Sequence, residues 1–113
     1  MKALISLFIF LTAFSFNSYS AETLLLNEEI KIETQQNKFY QFLINGKEKE
    51  CDELEVNGFM FGHSHGLPTE PQISASSKSS CLIEGIYFNM PGQWKINITD
   101  GSDNVASYFF QVN

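Results

Sequence analysis

The residues best suited to binding a metal ion lie within positions 60–71, a segment that we call the His loop. His63 and His65 are the only histidines in the chain, and they stand at positions i and i+2. In extended backbone this spacing places both imidazoles on one face, close enough to bind a single ion together. Met60 precedes the two histidines, and Met90 lies just before a second turn. Thioethers suit Cu(I) and imidazole accepts either copper oxidation state, so this ligand set favours copper.

Other interpretations of the same residues stay open from the sequence alone. Zinc requires a further nitrogen, thiolate or carboxylate ligand, and Glu70 is the nearest carboxylate to the two histidines. A histidine in a loop rich in glycine and proline can instead hydrogen-bond backbone groups and hold the loop in shape. Met60 and Met90 can equally fill gaps in a hydrophobic core, because methionine is flexible and adapts to irregular spaces.

Motifs for enzymatic chemistry do not occur in this sequence. It contains no serine elbow, no glycine-rich phosphate loop and no His-Glu-x-x-His helix. Two histidines without an evident nucleophile do not make a catalytic triad. We therefore expect a protein that is not an enzyme.

Residues 1–20 have the features of a secretory signal peptide. Lys2 supplies a positive end, an apolar run follows, and Ser18-Tyr19-Ser20 offers small residues for cleavage before Ala21. The run is short for a transmembrane helix, and no second run of spanning length follows. These features predict a periplasmic or secreted protein with one domain at residues 21–113 and no membrane span after cleavage.

The charge balance excludes some partners. The chain has 13 acidic side chains against 7 lysines and no arginine, for a net charge of −6. Nucleic acids and anionic membranes are bound chiefly by neutralising phosphates with lysine and arginine. We therefore expect no nucleic-acid partner, whereas a metal ion or a protein of the cell envelope is compatible with this charge.

Cys51 and Cys81 are the only cysteines. In an exported protein such a pair predicts a disulfide bond, with a thiolate metal site as the alternative. In the chain-entropy treatment, closing a loop of this length stabilises the fold by about 3 to 4 kcal/mol.

Short runs rich in β-forming residues recur throughout the chain and predict an all-β fold. The clearest strand alternates Trp94, Ile96 and Ile98 with polar residues, and a last strand at 105–112 should form a hairpin with it. The runs at 23–32 and 38–44 suggest an opening pair of strands, and Gly85 suggests a bulge or close packing. About seven such strands indicate a small immunoglobulin-like β-sandwich.

A further cluster holds five acidic residues around Cys51. They could attract cations, but the favoured interpretation is the solvated side of an edge strand, on which charge discourages pairing with another sheet. The five residues are Glu48, Glu50, Asp52, Glu53 and Glu55.

Three segments of the chain together resemble a known family, the YtkA-like or FixH-like domains of exported and membrane-anchored bacterial proteins. The segments are Met60-x-x-His63-x-His65-Gly66-Leu67-Pro68-Thr69-x-Pro71, Gly85-Ile86-Tyr87-Phe88-x-Met90-Pro91-Gly92-x-Trp94 and Phe109-Phe110-x-Val112. The resemblance covers roughly residues 58–113. It implies an immunoglobulin-like sandwich outside the cytoplasm, with a link to copper handling or to the assembly of respiratory oxidases.

Carried over by position, the resemblance makes Met60, His63, His65 and Met90 the candidate metal ligands. The chain departs from the family pattern in having Phe61 where proline is usual and Asn89 where histidine is frequent. We therefore expect a periplasmic copper-binding accessory protein. The alternative is a non-catalytic interaction module, in which the segment from His65 to Thr69 docks onto an envelope protein.

Overall fold

A computed structural model describes residues 21–45, 51–63, 65–77 and 79–113. The predicted signal peptide and two residues of the acidic cluster, Glu48 and Glu50, lie outside these ranges. Within the described residues no helix is long and apolar enough to cross a membrane. The strands are β1 (Glu22–Leu25), β2 (Lys31–Thr34), β3 (Phe39–Asn45), β4 (Glu55–Met60), β5 (Gln72–Ser77), β6 (Ser80–Tyr87), β7 (Gly92–Thr99) and β8 (Asn104–Val112).

These strands form two four-stranded sheets. The first has the order β1-β3-β6-β5, and the second has the order β2-β8-β7-β4. Apart from β2, this order matches the immunoglobulin arrangement, in which strands A, B, E and D face strands C, F and G. The predicted β-sandwich is thus confirmed, with eight strands in place of about seven.

The beginning of the chain differs from the predicted opening pair. The run at 23–32 is divided between β1 and β2, which lie in different sheets and pair parallel to β3 and β8. Between them, the Asn27 side chain accepts a hydrogen bond from the Glu29 backbone N–H at 2.8 Å. An asparagine that bonds backbone two residues on forms a turn, and this turn ends β1.

The core lies between the sheets and consists of the inward-facing residues of both. Trp94, Ile96 and Ile98 of β7 are fully buried, as the alternation predicted. The rings of Phe42 from the first sheet and Phe110 from the second stack with centroids 5.1 Å apart. Aromatic contacts of this kind add to the burial of apolar area in holding the two sheets together.

Cys51 and Cys81 form the predicted disulfide, with Cα atoms 5.7 Å apart. Cys51 begins a single 3-10 turn, Cys51–Glu53, that precedes β4, and Cys81 lies in β6. The bond therefore ties the segment that leads into the second sheet to a central strand of the first. Glu55 begins β4, which is an edge strand as the acidic cluster predicted.

Gly85 interrupts the pairing of β6 with β3, where the register shifts between Tyr40 and Phe42. Its φ angle is 86°, a conformation that favours glycine, and a Cβ atom there would lie 3.6 Å from the Pro71 Cα. The bulge suggested from the sequence is confirmed, whereas the distance to Pro71 is an ordinary van der Waals contact, so the positive φ angle is the feature that favours glycine here. The approach of Pro71 to Gly85 brings the end of the His loop against the first sheet.

Candidate metal centre around Trp94

Met60 and His65 lie opposite each other in a small hairpin. The Met60 N–H donates to the His65 carbonyl at 3.1 Å, and Phe59 forms a β-bridge with Gly66. Gly62, with φ at 78°, provides the left-handed backbone within the intervening turn. Residues directly opposite in an antiparallel pair project their side chains to the same side. The thioether and the imidazole are therefore neighbours.

Trp94 lies next to three of the four candidate ligand residues, namely Met60, His65 and Met90. It pairs with Met60 across β4 and β7, and its ring lies 5.9 Å from the His65 ring in an edge-to-face arrangement. Its indole N–H donates to the Met90 carbonyl at 3.1 Å. The two turns that carry the predicted ligands thus meet at one end of the sandwich, around a fully buried indole.

Gly92 leaves the space that Met60 occupies. A Cβ atom at Gly92 would lie 2.8 Å from the Met60 Cε, so the methyl group rests directly against the glycine backbone. Met60 is only 3% exposed, whereas Met90 is half-buried. Met60 therefore also fills the core, which was the alternative interpretation of this residue.

His65 holds a polar atom whose surroundings require explanation. Its Nε2 is buried and has no hydrogen-bond partner among the described residues. Buried polar atoms are nearly always paired, and leaving one unpaired costs about 1 to 3 kcal/mol. A neutral imidazole nitrogen carries a lone pair that can bind a metal ion. An imidazole together with thioethers is a donor set that fits Cu(I).

His63 has different surroundings from His65. It is exposed in the turn after β4, whereas His65 is partly buried against Trp94. The i, i+2 argument applies to extended backbone, and a turn begins immediately after Met60. Asn89 has a buried side-chain oxygen without a hydrogen-bond partner in the described part of the chain. An amide oxygen is a hard donor and a poor ligand for Cu(I).

Glu70, the carboxylate considered for zinc, is exposed at the far end of the His loop. Within residues 21–45, 51–63, 65–77 and 79–113, no group of three or more His, Cys, Asp or Glu side chains could hold a metal ion. The candidate centre therefore depends on thioether donors together with His65.

The remainder of the His loop is attached to both sheets. Leu67 lies over Gly58, where a Cβ atom would approach the Leu67 Cδ1 to 2.8 Å. The Thr69 hydroxyl donates to the Gly85 carbonyl at 2.5 Å. A groove of about 310 Å³ runs beside this segment and is lined by Val56, Asn57, Gly58, Gly66, Leu67, Thr69, Glu70 and Pro71. These contacts attach the segment from Leu67 to Thr69 to both sheets.

Trp94 was not among the ligands predicted from the sequence. Its inward position follows from the alternation along β7, but its contact with both turns depends on the pairing of β4 with β7. In the sequence, only the resemblance described above connects Met90, Gly92 and Trp94.

Comparison of the chain with known protein families, characterised proteins and solved structures finds no match.

Proposed function

We propose that this protein is an exported copper-binding accessory protein of the YtkA-like type that holds Cu(I) with His65, Met60 and Met90. The observation that carries the proposal is the buried Nε2 of His65 beside Trp94, which has no hydrogen-bond partner among the described residues. Trp94 also pairs with Met60 across two strands and donates its indole N–H to the Met90 backbone carbonyl. A bound metal would supply the missing partner of this nitrogen.

The chemistry of the donors selects the oxidation state. Two thioethers and one imidazole form a soft set that suits Cu(I), whereas Cu(II) prefers nitrogen and oxygen donors in a tetragonal arrangement. The indole of Trp94 would add to binding of the ion, since an electron-rich ring attracts an adjacent cation. His63, exposed in the turn, is available as an outer ligand during entry or release of the ion.

Export is supported by the disulfide and by the predicted signal peptide. Disulfides persist in oxidising compartments such as the bacterial periplasm. The resemblance to YtkA-like and FixH-like domains adds copper handling or oxidase assembly as the setting. In that setting the protein would carry the ion to a partner.

The test is a Cu(I) titration of the purified protein in competition with a chromogenic chelator, with Trp94 fluorescence as a second readout. We expect His65→Ala and Met90→Leu each to weaken binding by about tenfold or more, equivalent to about 1.4 kcal/mol. His63→Ala is the matched control, because this imidazole lies outside the Trp94 contacts, and it should change affinity much less. Urea unfolding of each variant verifies that the fold is retained.

Equal Cu(I) affinity for the wild type and a folded His65→Ala variant would overturn this assignment. The second candidate function is then favoured, a non-catalytic module that docks an envelope protein through the loop 65–69. Its support is the attachment of Leu67 and Thr69 to both sheets and the groove beside them. A surface that is ordered before binding loses less entropy on association.

A further inference from the structure

The outer face of the second sheet carries an alternating row of lysine and phenylalanine. Register places Lys31 of β2 beside Phe109 of β8, Phe109 beside Lys95 of β7, and Lys95 beside Phe59 of β4. Adjacent strands are about 4.8 Å apart, so this cross-strand row is about 14 Å long. We call it the Lys-Phe row.

Two phenylalanine side chains are exposed on or beside this face. Phe59 is 37% exposed, and Phe61, which follows β4, is 44% exposed. The rings form a continuous patch, with centroid distances of 5.9 Å from Phe59 to Phe61 and 6.1 Å from Phe61 to Phe109. Contiguous exposed apolar surface surrounded by polar residues is typical of an interaction site.

The two lysines of the row have no ion pair within the described residues. The Lys95 Nζ lies 5.6 Å from the Phe109 ring centroid, and the Lys31 Nζ contacts the Gln93 side-chain oxygen at 3.4 Å. The single ion pair of the described chain joins Lys38 to Glu22, whose neighbours belong to the other sheet. Neither lysine of the row is neutralised by a carboxylate of the described chain, so each keeps a positive charge that can also attract an aromatic ring of a partner.

The order of the Lys-Phe row is self-complementary. A two-fold axis parallel to the strands, between β7 and β8, lays the row of a second copy over the first in reverse order. Lys31 then faces Phe59 of the second copy, and Lys95 faces its Phe109. Every lysine meets a ring, and no two lysines oppose each other. We infer that this face is a homodimer interface formed with a second copy of the same chain.

The neighbouring row agrees with the same symmetry. It consists of Glu33, Gln111, Gln93 and Phe61, which are aligned by the pairing of β2, β8 and β7 and by the Phe61 N–H donating to the Gln93 carbonyl. Reversal places Gln111 opposite Gln93 of the second copy, and a primary amide can both donate to and accept from another amide. Glu33 falls opposite Phe61, so the two-fold arrangement brings no carboxylates together in this row.

The dimensions of the face indicate the strength of the interface. The four strands have four to nine residues each, and at about 3.3 Å per residue and about 4.8 Å between strands they give roughly 430 Å² per copy. Stable interfaces bury about 800 Å² per partner, so this one belongs among the weaker associations. We expect a dimer that dissociates in the micromolar range. The inference does not depend on copper, because the contacts proposed here use the opposite side of the sheet from Trp94.

Sedimentation velocity of the purified protein, over roughly 10 µM to 1 mM, tests the inference. The wild type should pass from monomer to dimer as its concentration rises. Phe59→Ser should raise the dimer dissociation constant by about tenfold or more, since two-fold symmetry removes two contacts with each substitution. Lys31→Glu should act in the same direction, because it replaces the cation that faces the partner's Phe59 by an anion.

Phe39→Ser is the matched control, because Phe39 is 49% exposed on a strand of the first sheet. It should leave the dimer unchanged. A protein that stays monomeric throughout this range overturns the inference and leaves the face to a different partner. A dimer that Phe39→Ser weakens and Phe59→Ser does not would place the interface on the first sheet and also overturn it.

Discussion

At the scale of single residues, Tyr108 shows how burial changes acid chemistry. It is 4% exposed and faces the core from β8, and burial raises the pKa of its hydroxyl to about 12. The nearby carboxylate of Glu28 acts in the same direction, because a negative charge disfavours ionisation of the phenol. Since the ordinary value is about 10, the folded state holds this proton more tightly than the unfolded chain.

A raised pKa gives a signed prediction for stability at alkaline pH. The stabilisation is fully present below pH 10 and is lost as the pH rises through about 12, because the unfolded chain ionises first. We expect urea unfolding to reveal a fall of about 1 kcal/mol over this window, less than the full shift implies, because Tyr108 borders a surface groove. Tyr108→Phe should reduce the fall, and an identical pH profile in that variant would contradict the assignment.

At the scale of elements, the β4 hairpin and the start of β7 depend on each other through Gly92. The φ angle of Gly92 is 137°, and the Met60 methyl group fills the space beside it. A side chain at this position introduces backbone strain and also displaces Met60. The candidate ligand geometry thus depends on a glycine that binds nothing itself.

Gly92→Ala should lower the free energy of unfolding by about 1 to 3 kcal/mol. Gly101→Ala is the control, because Gly101 has φ at 99° but nothing within 4 Å of the added Cβ. The difference between the two variants in urea unfolding therefore measures the contact with Met60. Gly92→Ala should also weaken Cu(I) binding, whereas Gly101→Ala should not. If the two substitutions changed the free energy of unfolding and the Cu(I) affinity equally, the contact between Gly92 and Met60 would contribute to neither.

At the scale of the whole molecule, the Cys51–Cys81 bond joins segments that lead to different sheets. The cysteines are 30 residues apart in sequence. Replacing both by alanine should lower the free energy of unfolding by about 3 kcal/mol, since the unfolded chain regains the entropy of the open loop. Chemical denaturation under non-reducing conditions measures this loss. A loss below about 1 kcal/mol would show that the disulfide contributes little to the free energy of unfolding and that packing of the core supplies most of it.

Local sequence patterns determined much of the fold. Alternation of apolar and polar residues identified β7 and β8 and their inward faces, because side chains along a strand point to opposite sides in turn. Cysteine number and the predicted export identified the disulfide, and Gly85 marked a bulge. The division of the run at 23–32 escaped prediction, since parallel pairing with β3 and β8 involves residues distant in sequence.

The candidate site required tertiary structure for its final composition. The residue types of the His loop and of Met90 indicated soft-metal chemistry, because donor atoms are properties of the side chains themselves. Which of these residues converge depended on the turn after Met60, on the pairing of β4 with β7 and on the small volume of Gly92. Tertiary structure alone placed His65 against Trp94 and left His63 exposed, because contact across a sheet depends on strand register, which pairs residues far apart in the chain.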